Sequence, residues 1–169
     1  MKKIITAILI LCLFMTGCHG EESPKTVTFY YPRGSYSQNS IDSVLAPETR
    51  ERGNLSSVMH LLDLYCQGPS DPTLTNPIPE GTSVVSVHVT GNVTIVTLTD
   101  AFAELTGLEL VIACAGFHRT ISALTGTPIV QIGCQSVKLD GKNHITIDSD
   151  TLLYIDTVPT ETEIITTEE

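Results

Sequence analysis

Residues Leu61–Pro69 read LLDLYCQGP, Pro79–Thr82 read PEGT, Val84–Leu98 read VVSVHVTGNVTIVTL and Thr99–Phe102 read TDAF. The valine-rich part decides the fold. With Gly91-Asn92 as a two-residue turn, Thr90 faces Val93, Val89 faces Thr94, Val87 faces Val96 and Val85 faces Leu98. Side chains alternate along a strand, so Val85, Val87, Val89, Val96 and Leu98 share one face. Ser86, His88 and Thr97 go to the other, and His88 is an outward residue opposite Ile95. A slip of one residue would scramble this sorting, so turn chemistry and apolar pattern specify the same hairpin.

Upstream of the hairpin, Leu55, Val58, Leu61, Leu62 and Tyr65 recur on one face of a helix that Asn54 can cap. Gly68-Pro69 ends it, and His60 and Asp63 are expected to meet solvent. Ser70 to Thr82 carries Pro72, Pro77, Pro79 and Gly81 and reads as a rigid spacer, because proline narrows the loop's conformations before folding. Further upstream, Val27–Tyr31 (VTFYY) is a strand ended by Pro32, and Ser43–Ala46 a short edge strand ended by Pro47.

Downstream, Thr99 or Asp100 starts a turn with Phe102 as its inward anchor. A helix from about Leu108 to Leu124 follows, with Leu108, Val111, Ile112, Ala115, Phe117, Ile121 and Leu124 as its apolar stripe. Gly126 to Pro128 closes it. Ile129–Cys134 is a strand with Val130, Ile132 and Cys134 on one face. Val137–Leu139 and His144–Ile147 flank Asp140–Asn143 as a second hairpin, and Leu152–Ile155 is a last short strand.

The 169 residues, 41% hydrophobic and 17% charged, fit one globular domain with an aliphatic core. A net charge of -10 speaks against nucleic acid, which is bound through Lys and Arg, and against an anionic membrane surface as the docking force. It reads as a solubilising surface.

The N-terminus is an address. Lys2 and Lys3 precede an uncharged run from Ile4 to Phe14, too short to span a bilayer and right for a signal peptide. Met15-Thr16-Gly17-Cys18 resembles a bacterial lipobox. That resemblance implies cleavage of residues 1–17, a diacylglycerol on Cys18, and an extracytoplasmic protein held to the cell membrane by lipid. Each buried CH₂ contributes about 0.8 kcal/mol to such an anchor. Residues 18–25 form the lipidated tether and 26–156 the folded domain. Residues 157–169, rich in Thr and Glu, form a disordered acidic tail.

Cys66, Cys114 and Cys134 remain beyond the anchor. An odd number excludes a fully paired set, any one of three disulfides is open, and burial as small hydrophobes is the plainer expectation. CxxC spacing for zinc is missing, and no metal or cofactor is expected. Cys114 and His118, at i and i+4, are the one arrangement that suggests a nucleophile and base. Nothing marks a third activating group or an oxyanion donor, so no catalytic residue is assigned and the protein is not expected to be an enzyme.

LLDLYCQGP, PEGTSVVSV, VTLTDAF and the late strand near Asp140-Gly141-Lys142, in this order and spacing, resemble the GerMN domain of sporulation and spore-germination lipoproteins from Gram-positive bacteria. The resemblance covers about residues 26–148 and departs at Thr97, where the family usually carries an acidic residue. It implies an α+β fold: a single-domain, two-layer α/β sandwich with two helices packed on a mixed sheet, similar to ring-building motifs. It implies protein binding or assembly in the cell envelope, with envelope or sporulation proteins, or further copies of the chain, as partners. It carries no functional residue onto this sequence. The alternatives are a small envelope hydrolase and a ligand-binding lipoprotein.

Overall fold

A computed structural model describes residues 25–34 and 44–148. Strands β1 (Thr26–Pro32) and β2 (Leu45–Glu51) precede helix α1 (Val58–Cys66), and strands β3 (Val84–Thr90) and β4 (Val93–Leu98) follow it. A 3₁₀ turn at Asp100–Glu104, helix α2 (Gly107–Thr125), and strands β5 (Ile129–Cys134) and β6 (Ile145–Ile147) complete the order. The fold is α+β, with two helices and a four-stranded mixed sheet ordered β3-β4-β5-β6. In that sheet β4 and β5 are parallel and the other pairs antiparallel. The parallel pair needs a crossover, which the 3₁₀ turn and α2 provide. A separate antiparallel ribbon of β1 and β2 packs on α2.

The ribbon corrects the expected end at Pro47: β2 runs through it, pairing Tyr30 with Pro47. The Arg33 N–H bonds to Val44 O and the Arg52 N–H to Lys25 O, which fixes which positions face across the ladder. Counting inward, Pro32 and Pro47 both fall where a strand's N–H points away from its partner. Neither proline removes a ladder bond, and Pro47 blunts the outer edge of β2. The outward groups of β1 are satisfied by side chains and a loop. The Tyr30 N–H donates to Thr120 Oγ1 at 3.0 Å, and the Thr75 N–H donates to Pro32 O at 2.9 Å.

Tyr65 binds three elements together. Its ring stacks on Tyr31 at 4.7 Å and meets Phe117 edge-on at 5.0 Å, and Phe117 in turn meets Phe102 at 5.5 Å. Its hydroxyl donates to Tyr30 O at 3.1 Å, while the Tyr31 hydroxyl donates back to Tyr65 O at 2.8 Å. All four rings are fully buried. Gly116 of α2 lies against this arrangement: a Cβ there would collide with Tyr65 Oη and come within 3.0 Å of Tyr30 O. The glycine is what lets the helix approach β1 so closely.

The hairpin has the expected turn, with Thr90 opposite Val93, His88 opposite Ile95 and Val87 opposite Val96. Near its start the register shifts, and Val84 rather than Val85 faces Leu98. The bulge at Val85 turns that side chain outward, to 38% exposure, while Val84 is buried. Val89, expected on the core face, is 53% exposed. Asp63, expected in solvent, accepts the Val84 N–H at 2.9 Å and closes that end of the β3 edge.

Three other boundaries differ. The first helix begins at Ser57, not Asn54; the Leu55 N–H is taken by Arg52 O, and Arg52 reaches Leu55 O and Ser56 O, so this segment is held as a turn. On α2, Leu108 and Val111 face outward, and Leu110, Ala113, Cys114 and Thr120 take the buried positions. The apolar stripe is rotated from the one expected because α2 is covered on two sides, by β1 and by β5 and β6. Val137–Leu139 forms no strand; Leu139 bridges to Lys142 around Asp140-Gly141, both at positive φ, and β6 pairs with β5 instead. The expected strand at Leu152–Ile155, the tether, the signal segment and the acidic tail lie outside the described residues.

Gly116→Ala is expected to lower the thermal unfolding midpoint through overpacking worth roughly 1–3 kcal/mol. Combining it with Tyr65→Phe should cost less than the sum of the two single changes, because the phenol oxygen is the atom the new methyl meets. Additive losses would show that the clash is elsewhere.

Candidate functional site

The family-like motifs turn out to hold one another. Thr99 Oγ1 accepts the Ser83 N–H at 3.0 Å and donates to Gly81 O at 3.0 Å, so the PEGT turn and the TDAF turn are tied at one end of the hairpin. Asp100 accepts the Ser136 N–H at 2.8 Å, fastening the chain that leaves β5. Phe102 is fully buried, as its expected role as an anchor requires. These residues build the scaffold.

The proline loop is fastened by a pair that sequence reading passed over. Glu48 and Arg50, two apart on one face of β2, form an ion pair in which Arg50 Nε lies 2.8 Å from Glu48 Oε2. Glu48 Oε1 accepts the N–H groups of Ser70 and Asp71 at 2.7 and 2.8 Å, and Arg50 donates to Gly68 O at 2.6 Å. The guanidinium sits 5.3 Å from the Phe29 ring centre and 5.6 Å from that of Tyr31. The i, i+2 spacing of opposite charges on a strand was the available signal. Asn76 completes the loop, donating to Cys66 O and accepting the Ile78 N–H. Gly68, at φ +91°, is pressed against the Asn76 side chain, within about 3 Å of where a Cβ would stand.

Held in this way, the loop is more than a spacer. Thr75 to Pro79 form one wall of an open groove of about 760 Å³. Pro32–Gly34 form another wall, and Glu104 and Leu105 at the end of the 3₁₀ turn, with Glu109 and Ile112 of α2, line the remaining side. Leu108 is one turn before Ile112 on the helix surface and is 69% exposed, with Val111 beside it at 41%. The groove therefore has Ile112 on its helical side, with the exposed Leu108 one turn away, and carries the charges of Glu104, Glu109 and Arg33.

The Cys114–His118 arrangement is packed for structure. Cys114 is buried, and burial pushes its thiol up to about 12, with Cys134 nearby adding to the rise. A thiol so raised stays protonated at neutral pH and is a poor nucleophile. His118 Nε2 lies 2.9 Å from Pro128 O and Nδ1 has no hydrogen-bond partner, so no hydrogen bond links the imidazole to the Cys114 thiol. Cys66, Cys114 and Cys134 are free thiols; Cys114 is the small buried hydrophobe expected, and the other two are half-buried. His88 and His60 are exposed. Among the described residues, no group of three His, Cys, Asp or Glu side chains could hold a metal ion.

The raised thiol makes stability depend on alkaline pH. An unfolded chain releases this proton from the ordinary value of 9.0, whereas the folded chain keeps it to about 12. Deprotonation therefore favours unfolding progressively over that window, and the contribution is fully present below it. The urea midpoint should fall between pH 8 and 10.5, and Cys114→Ala should make the fall shallower. An equally steep fall in the variant would place the titrating group elsewhere.

A search of the curated proteins finds no match. The family model for Germane, sporulation and spore germination, matches residues 28–134. Among solved structures, the fold is similar to the first GerMN domain of the sporulation protein GerM from Bacillus subtilis. The TM-score is 0.56 at 14% identity, covering 73% of this chain and 95% of that one. It is also similar to the tandem GerMN domains of the same protein, with a TM-score of 0.55 at 13% identity, covering 79% of this chain and 48% of that one. The chain thus spans about half the length of the tandem. The matched span runs from β1 to the end of β5, over the strands, helices and tied turns described above, and it establishes that the chain belongs to the Germane family of sporulation and spore-germination proteins and carries a GerMN-type domain.

Proposed function

We propose that this protein is a lipid-anchored, extracytoplasmic docking module of sporulation or germination, and that the groove at the start of α2 receives a segment of a protein partner. The observation that carries the reading is Leu108, at 69% the most exposed large hydrophobic side chain among the described residues, one turn from Ile112 of the groove. Exposed leucine beside a groove favours recognition of an apolar segment. Glu104 and Glu109 favour a partner with basic side chains, in keeping with the chain's overall charge of -10. The lipobox-like sequence ending at Cys18 supports an anchor on the outer face of the cell membrane, with residues 19–24 and the described fold beyond it.

Two experiments test this. Leu108→Glu should leave the melting temperature within a few degrees of the parent, since the side chain is already in solvent, yet reduce the protein complexes recovered by crosslinking from sporulating cells. Undiminished complexes would remove the groove from the reading. For the anchor, Cys18→Ala should move the protein out of the membrane fraction; unchanged fractionation would contradict lipid attachment at that residue.

A further inference from the structure

The other unabsorbed feature is the outer edge of β3. In the hairpin, Thr90 and Val93 close the two-residue turn as a bonded pair, so bonded and non-bonded pairs alternate from there. His88 directs its backbone groups at Ile95, and Val87 and Val89 direct theirs away from β4, at the open edge. Natural edges are blunted by proline, charge or brevity. In this fold β2 has Pro47 and the Glu48–Arg50 pair, and β6 is only three residues long. β3 has none of these: Ser83 to Thr99 contains no Asp, Glu, Lys or Arg. Helix α1 packs against this strand, and its Asp63 closes the edge at the Val84 end. Val89 is 53% exposed although its cross-strand neighbour Thr94 is fully buried, so the core-side face of the strand stands open at its turn end.

We infer that this edge pairs with the same edge of a second copy, antiparallel, about a two-fold axis through His88. The register is self-complementary. With His88 opposite His88, Val87 of each copy falls opposite Val89 of the other, so the outward N–H and C=O groups of both valines find partners. The same pairing brings the valines of both copies together on one face, where Val89 is now exposed. Charge restricts where two copies can meet: chains of net charge -10 repel one another, and this hairpin, with no charged side chain from Ser83 to Thr99, is a surface where they can approach without opposing carboxylates. The inference is independent of the groove, which is lined by α2 and the proline loop and by no residue of β3.

Cysteine crosslinking of the full chain in membranes tests it. At a non-bonded antiparallel position, facing Cα atoms lie about 4.5 Å apart, within the roughly 4.4–6.8 Å that a disulfide spans. His88→Cys, oxidised with copper–phenanthroline, should give a reducible species of twice the chain's mass. His60→Cys, exposed on α1, and the parent chain should not. Adding Val87→Lys to His88→Cys should remove the dimer several-fold. A His88→Cys chain that melts like the parent yet stays monomeric would overturn the inference. So would a dimer that persists with Val87→Lys, and an adduct of another mass would assign the edge to a different chain.

Discussion

The rest of the structure depends on how Tyr65 is seated. Its ring lies between Tyr31 and Phe117, and its hydroxyl donates to the backbone of β1. One side chain thus joins α1, the two-stranded ribbon and α2. The seat exists because Gly116 removes the Cβ that would occupy the phenol oxygen's place. A buried tyrosine without a hydroxyl partner would cost roughly 1–3 kcal/mol, and Tyr30 O supplies the partner. That carbonyl points away from β2 because Tyr30 occupies a position opposite Pro47, where the ladder makes no demand on it. A proline in a strand and a glycine in a helix, both unfavourable locally, are accounted for by this one contact.

From the same centre the groove acquires its shape. Tyr31 and Phe29 support Arg50, Arg50 and Glu48 hold the Gly68–Asp71 backbone, and the proline loop that follows becomes a fixed wall. The opposite wall is the start of α2, a helix held through the edge-on contact of its Phe117 with Phe102. A surface whose walls are set before a partner arrives loses less conformational entropy on binding. In this sense the Glu48–Arg50 pair serves the proposed recognition, although neither residue lines the groove.

Much of this was legible in the sequence where a local rule and the global fold agree. Gly91-Asn92 set the hairpin, Gly68-Pro69 the end of α1, and Phe102 its own burial. Three of the misreadings share a cause: each involved a residue whose partner is distant in sequence. Pro47 looked like a terminator because proline cannot donate, but the ladder position was set by β1. Val85 fit the alternation until the bulge moved Val84 into its place. Leu108 and Val111 were assigned to a core face whose direction depends on β1 and on β5. The groove was not legible at all, because its walls come from three separate segments, and an exposed leucine is indistinguishable from a buried one in a string of letters. The family pattern was recognisable for the complementary reason: its motifs are turns that tie to each other, as Thr99 does to Gly81 and Ser83.

The central claim is that the chain acts by contact at the start of α2. Its most direct test is a photo-crosslinking amino acid placed at Leu108 of the full chain in sporulating cells, with the same group at exposed His60 as the reference. The account predicts a discrete protein adduct from position 108 that is absent from position 60. Indistinguishable adducts at both positions, or none at 108, would contradict it.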